Sequence, residues 1–425
     1  MKIRFYDAKI LTKDFDIING ELHISGDKIS SIGNAPAQPE HKTVFDREID
    51  CGGNLLMPGF KNAHAHSAMT FLRSFADDMP LSDWLNTAVF PMEAKLKPDD
   101  VYLFAKLAFL EYIGNGITSC LDMYYEPESY FRAAAEYGFR LVMQGAVNNF
   151  KESAEKIAEY YELYNGRNPL VTYKLGFHAE YTTDIKIMRE IAALSGKYKA
   201  PVYVHAAETA GETDGCLARY NKTPIGLFYD EGLLNYGGAL FHCVYANDAD
   251  MELMREKNVT AVINPASNLK LASGTPPVER FQEAGVRLAL GTDGPASNNS
   301  LNLFKEMYLA ATLPKFTGNN AAAVPAESVL RMATEGGAFA MGLADCDVLA
   351  PGKQADIVEI DLNKPNFQPE HNIIKNLVYS GSAANVKRTV IAGKILYENG
   401  EFHVGESPAD LYAAVRNAVS ELIRR

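Results

Sequence analysis

The chain has 425 residues, 47% of them hydrophobic and 22% charged, with a net charge of −12. Those proportions are those of a globular chain, and the acidic balance, with no lysine–arginine run, argues against nucleic acid or an anionic membrane as partner. No run of about 18 apolar residues exists to cross a membrane. The opening "MKIRFYDAKIL" lacks the apolar stretch of a signal peptide, and five scattered cysteines (Cys51, Cys120, Cys216, Cys243, Cys346) suit a reducing cytoplasm better than a disulfide framework.

Up to about Leu56 the chain reads as short strands and turns: "KIRFYDAKIL", "DIINGELHISGDKISSIG" and "KTVFDREIDCGG". The last segment reads the same way, through "GKQADIVEIDL", "IIKNLVYSG" and a hairpin "VKRTVIAGKILYENGEF" turning at Ala392-Gly393, before a terminal helix. The two ends are predicted to pair into one small β-sandwich, residues 1–56 with 349–425, with residues 57–348 inserted.

The inserted part opens on "FKNAHAH", where His64 and His66 follow an apolar run. On a strand, residues two apart share a face, so both imidazoles would project together. Seven further apolar runs follow, in "GITSCLDMYY", "FRLVMQGAV", "TYKLGFHAEY", "PVYVHAAE", "GALFHCVYA", "TAVINPAS" and "VRLALGTDG". Helical patterns such as "DDVYLFAKLAFLEYIGNG" and "PESYFRAAAEYG" separate them, several stopped by Gly or Asn. Strand–helix alternation demands parallel crossovers, and eight units predict a (β/α)8 barrel, with an open doubly wound sheet as the other arrangement.

Polar residues fall at the ends of these runs, where such barrels carry their chemistry. Five of the nine histidines lie there: His64, His66, His178, His205 and His242. The other four, His23, His41, His371 and His403, fall outside the barrel region. Glu208 stands three residues past His205, and Asp293 closes the eighth run. An H-x-H pair alone is more often a surface pair or two satisfied core histidines. The ordered set is what points to a metal.

The segments "LMPGFKNAHAHSAMTFLRSFADDMPLSDWL", "HAAET", "NPASNLKLASG" and "LGTDGPASNNSLNLF" resemble the amidohydrolase superfamily. Within it they resemble the deaminases of 5′-methylthioadenosine and S-adenosylhomocysteine and the related adenosine, guanine, pterin and s-triazine hydrolases. The resemblance implies a distorted (β/α)8 barrel with an end-to-end β-sandwich. It implies one divalent metal, Zn²⁺ or else Fe²⁺, held by His64, His66, His205 and Asp293. It further implies a metal-activated hydroxide that attacks the amino-bearing ring carbon of an adenosine-like purine and releases ammonia. Glu208 would be the proton shuttle, His242 would polarise the nucleophile, and Asp293 would accept its proton. Glu93 and His178 would contact sugar hydroxyls, Ser297 the base, and the single tryptophan, Trp84, a covering segment. Relatives are commonly homo-oligomers, and the partner implied is a small heterocyclic molecule.

Three features bear on alternatives. "HAE" at His178–Glu180 fits the H-x-E of cytidine-type zinc deaminases, but no P-C-x-x-C follows. Lys174 shares parity with His178 and is the candidate for a bridging lysine of a two-metal site, but it lies four residues too early, so one metal is expected. Gln144 stands where relatives that take S-adenosylhomocysteine place an arginine, with Lys151 following in the next loop and Glu180 a further charge beside His178. A neutral substrate tail is therefore expected. A catalytically inactive structural relative would have lost a ligand or the acid, and none is missing.

Overall fold

The computed structural model describes residues 1–33, 44–79 and 81–425. Five strands come first: β1 (Lys2–Leu11), β2 (Ile17–Ser25), β3 (Lys28–Gly33), β4 (Arg47–Asp50) and β5 (Leu55–Pro58). Eight more form the second sheet: β6 (Phe60–Ala65), β7 (Ile117–Met123), β8 (Arg140–Gln144), β9 (Val171–Ala179), β10 (Val202–Ala206), β11 (Gly238–His242), β12 (Val259–Ile263) and β13 (Arg287–Leu290). Four follow: β14 (Ile357–Ile360), β15 (Val386–Ile391), β16 (Lys394–Glu398) and β17 (Glu401–Phe402).

β6 to β13 pair in chain order, all parallel, as helical crossovers require. Helices such as Pro98–Gly114, Pro127–Tyr137, Ile185–Tyr198 and Leu303–Thr317 alternate with them. The first and last strands meet without a regular ladder. Asp293 N–H donates to the His64 carbonyl at 3.1 Å, and the Asn62 amide takes Thr292 N–H at 2.9 Å while donating to Thr292 Oγ1 at 2.7 Å. This nearly closed, distorted (β/α)8 barrel is the architecture expected from the eight runs. Its strands are buried on both faces, which is why they read as continuous apolar runs rather than alternating ones.

Strands from both chain ends make one separate mixed sheet in the order β17-β16-β15-β14-β5-β1-β2-β3, with β4 also on β1. It closes over its own core of Ile3, Phe5, Ile10, Leu22, Ile24, Leu56 and Ile357. The boundary expected after residue 56 falls inside β5, which pairs with β1 and β14. The β15–β16 hairpin turns at Ala392-Gly393 as expected. "IIKNLVYSG" departs from the strand-and-turn reading: Ile373–Tyr379 is a helix. Asn372 caps it by accepting Lys375 N–H at 2.8 Å, and its buried Ile373, Leu377 and Val378 lie on one helical face against the barrel helices. Among the described residues no helix is long and apolar enough to cross a membrane.

Candidate metal centre

The C-terminal ends of the barrel strands bend sharply, and this aims the polar side chains. Ala207, His242, Cys243 and Asp293 all have left-handed backbones (φ 51°, 71°, 50° and 58°), although none is glycine. Such conformations cost of order 1–3 kcal/mol each and persist only where the surroundings enforce them. They turn the chain off the strand just where side chains must face the barrel axis.

Four side chains converge there. His64, His66, His205 and Asp293 each direct one ligand atom into a group whose atoms lie within 4.8 Å of one another. Asp293 Oδ1 is 3.4 Å from His64 Nε2 and 3.3 Å from His66 Nε2. Asp293 Oδ2 is turned away, accepting from Ser267 Oγ at 2.5 Å and Ser297 Oγ at 2.7 Å. The far nitrogens of two imidazoles are held by backbone: His66 Nδ1–H on Met123 O and His205 Nδ1–H on His178 O, each at 2.7 Å. That fixes the tautomer with Nε2 inward, the arrangement of a metal-ligating histidine.

The donor set fits a divalent cation. His64 Nε2 and His205 Nε2 face each other at 3.2 Å, so both rings turn an inner nitrogen to the same point. Burial holds His64 down at about 3 and His205 well below its usual value, so both are neutral and ready to ligate. Burial would also lower His66, but Asp293 outweighs it and lifts His66 to about 9. The same histidine contacts hold Asp293 well below the ordinary carboxylate range against the upward push of burial. Three imidazole nitrogens with one carboxylate oxygen suit zinc or ferrous iron.

A cavity of about 380 Å³ opens beside this group, lined by His66, His205 and Asp293. Glu208, His242, Glu93, His178, Ser297 and Trp84 line it too, so the structure brings these expected site residues together. Glu208 lies 3.9 Å from His242, and burial raises its carboxyl above the usual value. His242 Nδ1–H donates to Asn268 Oδ1 at 2.7 Å. Glu93, also raised by burial, accepts the Tyr124 hydroxyl at 2.6 Å. His178 Nδ1 contacts Thr182 Oγ1 at 2.9 Å.

One expectation is corrected, and two open positions are placed. Gln144 does not reach the cavity. The β9–β10 register slips between Tyr203 and His205, and the Gln144 amide, packed over Gly176, supplies the missing donor to Tyr203 O at 2.9 Å. Glu180 does not face the cavity either; it forms a two-point ion pair with Arg219. Lys174 is outside the converging group, its Nζ lying against Gly342. Lys151 does line the cavity, 4.2 Å from the centre of the Tyr125 ring. His23, His371 and His403 lie outside the barrel strands, and His41 lies outside the described residues.

Sequence reasoning passed over Tyr124, Ser267, Asn268 and Glu212. The signal for two of them was present in "NPASNLK", whose short helix Pro265–Lys270 carries Ser267 and Asn268 toward Asp293 and His242.

Comparison with known proteins places this architecture among relatives. Residues 55–396 match the amidohydrolase family. A 5-methylthioadenosine/S-adenosylhomocysteine deaminase of Thermoanaerobacter pseudethanolicus is 38% identical over 419 residues, covering 96% of this chain and 95% of the relative. One from Desulfovibrio desulfuricans is 41% identical over 410 residues, covering 93% and 92%. A crystal structure of an adenosine deaminase from Xanthomonas campestris with bound zinc superposes with a TM-score of 0.94 at 31% identity, covering 100% of this chain and 98% of that one. A match across most of the chain, on the barrel whose strand ends gather the histidines, leaves one assignment: the protein belongs to the amidohydrolase family.

Proposed function

We propose that this amidohydrolase is a zinc-dependent aminohydrolase of an adenosine-like purine nucleoside, releasing ammonia from the amino-bearing ring carbon. One observation carries the reading: Glu208 and His242 line the same cavity as His66, His205 and Asp293. The deaminase relatives and the zinc-containing adenosine deaminase support it. The acidic net charge of −12 accords with a small-molecule substrate rather than nucleic acid.

His64, His66, His205 and Asp293 would hold the metal. A zinc ion bound there would supply a water whose pKa is lowered toward about 7. Glu208 keeps its proton more readily than an exposed carboxyl, because burial penalises its charge. It delivers that proton to the ring nitrogen beside the carbon under attack. His242, tethered through Nδ1 to Asn268, presents its other nitrogen and polarises the nucleophile. Asp293 accepts a proton through Oδ1, while Ser267 and Ser297 hold its other oxygen still. Glu93 and His178 meet the sugar hydroxyls, and Trp84 covers the substrate.

The test is an ammonia-release screen of the zinc-loaded protein over adenosine, 5′-methylthioadenosine, S-adenosylhomocysteine, guanine, pterins and s-triazines. The reading expects turnover of the first group. Turnover confined to guanine, pterins or triazines would replace it with a different N-heterocycle.

A further inference from the structure

Two of the three inward-facing imidazoles have their outer nitrogen satisfied by a backbone carbonyl. His64 is the exception: its Nδ1 is buried without a hydrogen-bond partner. The ring is wholly buried and stacks on Phe241 with centroids 3.9 Å apart, so solvent cannot serve that nitrogen. A buried N–H without an acceptor costs about 1–3 kcal/mol.

A second orphan lies close by. Asn264, the residue after β12, is wholly buried, and both its amide oxygen and its amide nitrogen lack partners. It does not cap the helix that starts at Pro265. The two residues meet at Gly291. A Cβ at that position would sit 2.4 Å from Asn264 Oδ1 and 2.8 Å from His64 Cβ. Gly291 is therefore the site where the absence of a side chain lets the asparagine amide pack beside the histidine. Three orphaned polar atoms on two neighbouring side chains match one another: a donor on His64, and an acceptor and a donor on Asn264.

We infer that Asn264 is the positioning residue of His64, taking the His64 Nδ1–H through one enclosed water and so fixing the ring with Nε2 toward the metal. Such a water finds partners in the three orphaned atoms, within the two to four it requires. The arrangement gives His64 what Met123 O and His178 O give His66 and His205. It explains why a polar side chain stands in the barrel interior without any other side-chain hydrogen bond. The inference rests on the four-residue metal centre proposed above.

The test is zinc affinity, measured by chelator competition on the purified full chain, with the melting temperature of the zinc-free protein followed in parallel. Loss of an outer hydrogen-bond partner typically weakens metal affinity by about 10–100-fold. Asn264→Ala and Asn264→Leu are expected to fall by that factor. Asn264→Asp keeps the acceptor and is expected to stay within about threefold of wild type or to bind more tightly. A purely structural asparagine would make all three alike. The inference is overturned if Asn264→Ala binds zinc as tightly as wild type, or if Asn264→Asp loses as much as Asn264→Ala. Failure of the wild-type protein itself to bind zinc overturns the metal centre and this inference together.

Discussion

Glu212 holds Glu208 by its backbone: the Glu212 carboxylate accepts the N–H of Glu208 at 2.8 Å and that of Ala207 at 3.0 Å. Thr209 caps the helix Ala210–Tyr220 that carries Glu212, accepting Glu212 N–H at 3.1 Å. The turn that leaves β10 is thereby fixed, and the Glu208 side chain is left to the cavity.

Glu208→Gln keeps this turn and the size of the side chain but carries no acidic proton. Positioned acid–base groups contribute about 10²–10⁴-fold. We expect kcat for ammonia release to fall by that factor, with zinc content unchanged by elemental analysis. A variant retaining more than about a tenth of wild-type kcat would remove Glu208 from the chemistry.

Metal content should follow the four convergent side chains. Wild type is expected to carry near one equivalent of divalent metal per chain, and His205→Ala or Asp293→Ala much less after dialysis. Each deletes one of the four converging donors. Two equivalents, with a modified Lys174, would contradict the single centre.

Arginine at 144 is not expected to create a tail-binding site. Gln144 is 1% exposed and packed over Gly176, so Gln144→Arg buries an unpaired guanidinium at a cost of several kcal/mol. Urea unfolding should show that loss. Lys151 lines the cavity, and we propose it as the cation that meets a substrate carboxylate. Lys151→Ala is expected to lower kcat/KM for S-adenosylhomocysteine by about tenfold, worth about 1.4 kcal/mol, and to leave 5′-methylthioadenosine nearly unchanged. Equal losses on both substrates would sink that assignment.

The barrel is tied to the terminal sheet by Arg140, which grips Asp356 through two bonds of 2.6 and 3.0 Å in a buried setting. Burial alone would raise the Asp356 carboxyl, but Arg140 outweighs it and holds it below its ordinary value. A depressed carboxylate pKa adds stability above the unfolded value of about 3.9 and loses it as pH falls below. Arg140→Met should therefore cost about 3–5 kcal/mol between pH 5 and 8, with the deficit shrinking below about pH 4. A deficit independent of pH down to 3 would show that the lost stability is not that of the ion pair.

Trp84 is the single tryptophan and lines the cavity. Intrinsic fluorescence should change on titration with a purine nucleoside, and the change should vanish in Trp84→Phe. An unaltered spectrum at saturating ligand would place the ligand elsewhere.

The placement of polar residues at the ends of apolar runs pointed to one chemically active end of the barrel, and the resemblance of the motifs to the amidohydrolase superfamily supplied the ligand set. H-x-H, H-x-x-E and T-D-G each sit where a strand hands over to a loop, which accords with His64, His66, His205 and Asp293 converging in the fold. The eight runs likewise carried a parallel sheet, because strands buried on both faces are mostly apolar, while its near closure into a barrel rather than an open doubly wound sheet lies in the pairing order and in the bonds between Asn62, His64, Thr292 and Asp293. Tertiary structure alone decided the fate of Gln144 and Glu180, whereas the position of Lys174 four residues before His178 already set it apart. Strand parity tells which side a residue faces, but not its depth nor which partner claims it. A register slip between β9 and β10 claimed the Gln144 amide, Arg219 claimed Glu180, and Lys174 ran to Gly342. The helix Ile373–Tyr379 was hidden for a similar reason: seven residues are too few for periodicity to tell helix from strand, and the barrel helices it packs on supplied the deciding contacts.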